Sequence, residues 1–223
     1  MRGVTVRRMT QLTLVVGSKN YSSWSLRPYM ALAQTGQPFQ EEVIQLDRPD
    51  TAERIARVSP SGRVPLLKHG DLLIWDSLAI CEYLADTFPE ARLWPESREA
   101  RAVARAVTAE MHSGFEALRE HMGMNLRARK PGQGRTPSAM EAVRRVQQIW
   151  NDCRARFGKG GPYLFGHFTI ADAFYTPVAT RFVTYEVSLD PVCDAYRDAL
   201  VSHPGFLKWA EAARHEPPVQ KYE

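Results

Sequence analysis

The sequence predicts an α/β domain joined to an all-α domain, the first built on a small mixed sheet in the order βαβαββα. Three observations carry that expectation. Short apolar runs alternate with helical spacings from residue 12 to 88, the Pro- and charge-rich stretch PEARLWPESREAR (89–101) then breaks the alternation, and beyond it only long helical periodicities recur.

LTLVVG (12–17) is short, β-branched and apolar, and reads as a buried strand ending at Gly17. Leu26, Tyr29, Met30 and Ala33 fall at helical spacing, with Gly36 as the stop, so the expected helix runs from Leu26 to about Thr35. FQEEVIQL (39–46) fits a second strand, and RPDTAERIARVSPSG (48–62) a short helix capped by Asp50, then a loop. VPLLKHGDLLIW (64–75) reads as two strands joined at His69-Gly70-Asp71. DSLAICEYLADTF (76–88) follows as a helix with Leu78, Cys81, Tyr83, Leu84 and Phe88 on or near one face. Helix-joined strands run parallel and turn-joined strands antiparallel, so the sheet must be mixed. The later helices are expected over 97–122, 137–157, 169–184, 191–201 and 204–213, with RARKPGQGRTPS (127–138) as a flexible loop.

Composition narrows the function. With 44% hydrophobic and 10% aromatic residues in 223, the chain can bury a real core without disulfides. Cys81, Cys153 and Cys193 are odd in number and far apart, with no C-x-x-C and no metal-ligand spacing, which argues against disulfides and zinc. No run approaches the roughly 20 apolar residues of a membrane span. MRGVTVRRMTQ is basic but lacks an apolar signal region, so a cytoplasmic protein with a short mobile lead is expected. The net charge of +4 suits an acidic small molecule and is too evenly dispersed for nucleic acid.

Three stretches carry chemistry. In NYSSWSLRP (20–28), the hydroxyls of Ser22, Ser23 or Ser25 either cap the following helix or, with its amides and dipole, stabilise an anion above the turn; spacing alone favours neither. Ser22-Ser23-Trp24-Ser25 stands where a redox domain of this topology carries C-x-x-C, so disulfide exchange by the protein is excluded, yet a hydroxyl can still donate to a thiolate from another molecule. In GRVPLL (62–67), a cis Val64-Pro65 bond would turn the Val64 backbone outward to pair with a peptide-like ligand; a trans proline would merely end a loop. In WDSLAI (75–80), Asp76 or Ser77 caps a helix, and the pair also suits the ammonium and carboxylate of a zwitterion.

In this order the stretches resemble those of the cytosolic glutathione transferase family, in a zeta-like, maleylacetoacetate isomerase-like bacterial form, from about Gln11 onward. The zeta pattern S-S-C-S-W-R-V-R-I-A-L is met here by S-S-W-S-L-R-P-Y-M-A-L. The resemblance implies a thioredoxin-like glutathione-binding domain over 11–88 and an all-helical domain carrying the electrophile site over 97–223. It places Ser22, or else its neighbour Ser23, as donor to the glutathione thiolate, with Ser23, Trp24 and Arg27 beside it. Val64, before a cis Pro65, would pair with the cysteinyl backbone, and Asp76 with Ser77 would hold the γ-glutamyl end. Trp24 in the place of the class's cysteine, and Pro28-Tyr29 in its R-V-R run, depart from the pattern. FTIADAF (168–174) resembles the family's capping box, with Asp172 reaching back to the Thr169 amide.

The implied activity is transfer of glutathione, as co-substrate, to a small electrophile by a cytoplasmic homodimer. The alternatives are a glutathione-dependent cis–trans isomerase and a glutathione-binding module without turnover. The electrophile is expected against the helix around 104–122, where His112 and Phe115, and with helix phase Met111 and Arg119, are candidates. Trp94, Trp150 and Trp209 are expected in the core instead.

Overall fold

The computed structural model describes residues 11–223; the basic lead expected before them lies outside the described residues. Strand β1 (Leu12–Gly17) lies inside a four-stranded sheet ordered β2-β1-β3-β4, with β2 at Phe39–Ile44, β3 at Leu66–His69 and β4 at Leu72–Ile74. A helix, α1 (Ser23–Gln34), joins β1 to β2, and the pair is parallel; β3 runs antiparallel to β1 and turns tightly into β4. Gly70 makes that turn with φ of +61°, which a side chain would disfavour.

The two-residue period of β1 divides the core. Val15 packs with Ile44, Leu66 and Ile55 of helix α2 (Thr51–Val58) on one face, while Leu14 and Val16 face Leu26 and Met30 of α1 and Ile80 and Leu84 of α3 (Ser77–Thr87). The helical part follows as α4 (Arg98–Ser113), α5 (Glu116–His121), α6 (Pro137–Phe157), α7 (Ile170–Thr184), α8 (Pro191–Val201) and α9 (Pro204–Arg214). Helix α7 is apolar almost all round and correspondingly buried, packed against α1, α4 and α8. Trp150 fills the helical core against Tyr175, Phe182 and Tyr196, and Trp209 donates to the Lys19 carbonyl at 2.9 Å. Trp94 is buried too, and its Nε1 donates to Glu82.

Four local expectations need correction. The helix expected over 97–122 breaks between Ser113 and Glu116, because Gly114 is extended and Phe115 adopts φ of +58°; a Cβ on Gly114 would sit 2.8 Å from the Glu110 carbonyl oxygen. Helix α1 starts at Ser23 rather than Leu26, since its first turn is polar and carries no apolar period. Strand β2 stops at Ile44, two residues early. Asp50 occupies the cap position of α2 without a side-chain cap bond, its backbone being helical there.

The anticipated reach of Asp172 is present: its carboxylate accepts the Thr169 amide at 2.8 Å and the Thr169 hydroxyl at 2.9 Å. It also accepts the Leu164 amide and the Tyr196 hydroxyl. The three cysteines are buried and unpaired. Among the described residues no helix is long and apolar enough to cross a membrane.

Candidate active site

A cavity of about 890 Å³ opens where the start of α1, the loop before β3, the start of α3 and the end of α4 converge. Its walls include Ser22, Ser23, Trp24, Val64, Pro65, Asp76 and Ser77, which is every site residue expected from the sequence except Arg27.

Ser22 is the N-cap of α1, and the reason its side chain is fixed lies three residues on. Its Oγ donates to Ser25 Oγ at 2.8 Å, and Ser25 Oγ also accepts the Gly17 amide at 3.0 Å, so the end of β1 anchors the pair. Hydroxyl protons rotate, and the pair can reverse: when Ser25 donates to Ser22, the Ser22 proton is released toward the cavity. The capping and anion-binding readings of Ser22 are therefore compatible. The N-terminal amides of α1 add the positive end of the helix dipole at the same place.

Across the cavity the Val64-Pro65 peptide is cis, and Val64 lies ahead of the paired residues of β3. Asp76 caps α3, its Oδ1 accepting the Leu78 amide at 3.0 Å and the Ala79 amide at 3.3 Å. Its other oxygen, Oδ2, lies 3.1 Å from His112 Nε2. Ser77 is fully buried, and its Oγ has no hydrogen-bond partner among the described residues. A buried hydroxyl is costly to leave unpaired, so a polar ligand at the α3 N-terminus would relieve it.

Arg27 is not on the cavity wall. It is fully buried behind Trp24, its guanidinium carbon 4.0 Å from the Trp24 ring centre and 5.0 Å from that of Phe174, and none of its guanidinium nitrogens has a hydrogen-bond partner among the described residues. Burial, then the charges of Arg181 and Arg119, push its pKa down to about 9. Arg181, which donates to the Met122 and Pro177 carbonyls, is lowered to about 10 by burial and by Arg119.

Arg119 and Arg181 line a second cavity of about 460 Å³, which shares Tyr21, Ser23, Trp24 and Tyr222 with the first. Of the other second-substrate candidates, His112 lines the first cavity, whereas Met111 is fully buried and Phe115 packs against the core.

Sequence reasoning missed Tyr21, Arg63 and Tyr222, which also line the large cavity. Tyr222 arrives from the far end of the chain. Tyr21 holds that segment by accepting the Val219 amide at 3.1 Å and donating to the Glu223 carboxylate, while Glu216 accepts the Asn20 amide. No local pattern connects residues about 200 apart; only the Y-S-S string next to a candidate anion site offered a signal for Tyr21.

Comparison with known proteins agrees with this geometry. The family model for the glutathione S-transferase N-terminal domain matches residues 21–87, and that for the C-terminal domain matches 101–212. A probable maleylacetoacetate isomerase of Caenorhabditis elegans is 25% identical over 83% of this chain and 87% of its own. Glutathione S-transferase Z2 of Arabidopsis thaliana is 26% identical over 78% and 80%. The crystal structure of a glutathione transferase homologue from Burkholderia, with bound glutathione, superposes with a TM-score of 0.71 at 23% identity, over 92% of this chain and all of that one.

Proposed function

The chain belongs to the glutathione S-transferase family, and from that premise we propose that it is a glutathione transferase whose Ser22 hydroxyl holds the glutathione thiolate for attack on an electrophilic small molecule. The observation that carries this reading is Ser22, hydrogen-bonded to the buried Ser25, on the wall of the same cavity as Val64, cis Pro65 and the α3 N-terminus. Residues 11–88 would bind glutathione, and 97–223 would contribute the electrophile's side of the site.

A free thiol with a pKa near 8.5 is mostly protonated at neutral pH. A hydroxyl donor and a helix N-terminus favour the thiolate, and each unit of depression is about 1.4 kcal/mol of differential stabilisation. The thiolate then attacks an electrophilic carbon, forming a thioether bond while the leaving group departs with the electron pair of the broken bond. Val64 offers its backbone to the cysteinyl residue, and Arg63 a cation to the glycyl carboxylate. Asp76 accepts from the α-ammonium, and Ser77 donates to the α-carboxylate. Trp24 forms part of the wall and Arg27 supports it from behind, as a buried charge under the Trp24 ring rather than as a direct ligand.

The arginines favour a second reading within the same chemistry. Besides burial, Arg181 and Arg119 lower the pKa of Arg27 and Arg119 lowers that of Arg181; burial lowers that of Arg119, and none of the three has a carboxylate at ion-pair distance among the described residues. That balance suits an unsaturated acid, to which the thiolate adds and from which it leaves after rotation about the former double bond. Such an isomerisation consumes no glutathione. The same reading puts the protein in the cytoplasm as a homodimer, and the exposed Leu72 and Trp75 at the β4 edge agree with a face covered in that dimer.

The test is turnover of a chloronitrobenzene and of a maleyl acid with glutathione, in the wild type and in Ser22→Ala and Ser23→Ala. Ser22→Ala is expected to lose about 10- to 100-fold in kcat/KM, as for removal of one donor to a charged atom, and Ser23→Ala less than Ser22→Ala. Full activity in Ser22→Ala with loss in Ser23→Ala would move the donor by one residue. Retention on immobilised glutathione with no turnover of either compound would leave a binding module.

A further inference from the structure

His112 belongs to α4, yet its contacts are with the glutathione side of the cavity. Nε2 reaches Asp76 Oδ2 at 3.1 Å, the ring stands edge-on to Trp24 with centroids 5.4 Å apart, and Phe174 closes the other side at 6.0 Å. Nδ1 is buried and has no hydrogen-bond partner among the described residues. These contacts fix the tautomer. A carboxylate only accepts, so the proton sits on Nε2; a second proton on Nδ1 would be a buried donor with nothing to bind, which costs more than an unused lone pair.

The remaining surroundings act in the same direction. Arg27 on α1 and Arg119 on α5 repel an imidazolium, Asp76 on α3 attracts one, and burial, the largest influence, holds the His112 pKa below its ordinary value. At neutral pH the residue is therefore a neutral donor. Oδ1 of Asp76 is committed to the Leu78 and Ala79 amides, which leaves Oδ2 as the oxygen that His112 orients.

We propose that His112 is a positioning residue for glutathione recognition: as a neutral Nε2–H donor it aims Asp76 Oδ2 at the α-ammonium of the γ-glutamyl group, tying the helical domain to the peptide-binding one. The proposal rests on the glutathione reading of the cavity. Its consequence is a pH dependence in binding rather than chemistry. Protonated His112 takes Asp76 as its own counter-ion and sets a second cation against the incoming ammonium. Glutathione affinity thus falls as His112 takes up its proton.

The experiment compares wild type, His112→Gln and His112→Phe by calorimetric binding of glutathione and by KM and kcat against pH. Glutamine places an amide donor where Nε2 stood; phenylalanine keeps the ring packing against Trp24 and removes the donor. His112→Phe is expected to raise Kd and KM for glutathione about tenfold, the usual worth of a hydrogen bond to a charged group, with kcat at saturation within about threefold. His112→Gln is expected within about threefold of wild type. Wild-type KM should be flat down to about pH 6.5 and climb below it, whereas that of His112→Gln should stay flat. An unchanged KM in His112→Phe, or an equal loss in His112→Gln, would overturn the positioning role. Should His112→Phe fail to fold, a wild-type KM that stays flat to about pH 5 does the same. Wild-type protein that binds no glutathione in the calorimeter would instead remove the reading beneath the proposal.

Discussion

A hydroxyl proton points one way at a time, and the proposed function puts two claims on that of Ser22: Ser25 Oγ inside the fold and the thiolate it would hold in the cavity. Ser25 settles the competition because it can return the bond as donor. Replacing it by alanine leaves Ser22 without that return partner and the Gly17 amide without its acceptor. Ser25→Ala is expected to lower kcat/KM about 3- to 10-fold and to destabilise the fold by about 1–2 kcal/mol. Steady-state kinetics and a denaturant midpoint read the two separately, and kinetics equal to wild type would show that Ser22 needs no partner. The five serine-turn and hairpin positions on the cavity wall, Ser22, Ser23, Trp24, Val64 and Pro65, were legible through the family resemblance, and each sits at the end of an element that the apolar pattern delimits. Arg27 was not, since helical phase rather than motif position turns its guanidinium behind Trp24. His112 was legible only as one candidate among four on its helix, because the Asp76 contact joins residues 36 apart.

Elements were read best where one period dominates. The mixed sheet follows from the connections, and the helix expected over 169–184 is present as α7. The break between α4 and α5 was illegible because Glu116, Leu118 and Arg119 continue a helical pattern through Gly114; the left-handed Phe115, with Arg119 donating to the Gly114 carbonyl, ends the run. Asp172 shows how much one local device can carry. Its fully buried carboxylate accepts four hydrogen bonds from Leu164, Thr169 and Tyr196, and burial raises its pKa although each of those bonds favours the charged form. Asp172→Ala strands these donors together. It is expected to cost about 3–5 kcal/mol in a denaturation experiment, and a loss under about 1 kcal/mol would show that α7 holds its own start without the box.

On the scale of the whole molecule, function depends on segments distant in sequence meeting at one cavity. The turn at 18–22 supplies the hydroxyl, the hairpin its backbone, α3 and α4 the Asp76–His112 pair, and the segment at 216–223 the Tyr222 wall. The two-part architecture was visible as a change of period after residue 88. The charge balance was visible only as a net +4; that Arg27 and Arg119 approach the Trp24 ring, with Arg181 on the same second cavity and no carboxylate at ion-pair distance to any of the three among the described residues, is a property of the fold alone. In the proposed function all of these parts converge on a glutathione sulfur anion at Ser22. The most direct measurement is an ultraviolet titration of the thiolate of bound glutathione in the wild type and in Ser22→Ala. A thiol held by the Ser22 donor titrates well below the free value of about 8.5, and Ser22→Ala should return it upward by about one unit or more. An unshifted thiol in the wild type, or the same depressed value in both proteins, would contradict the account.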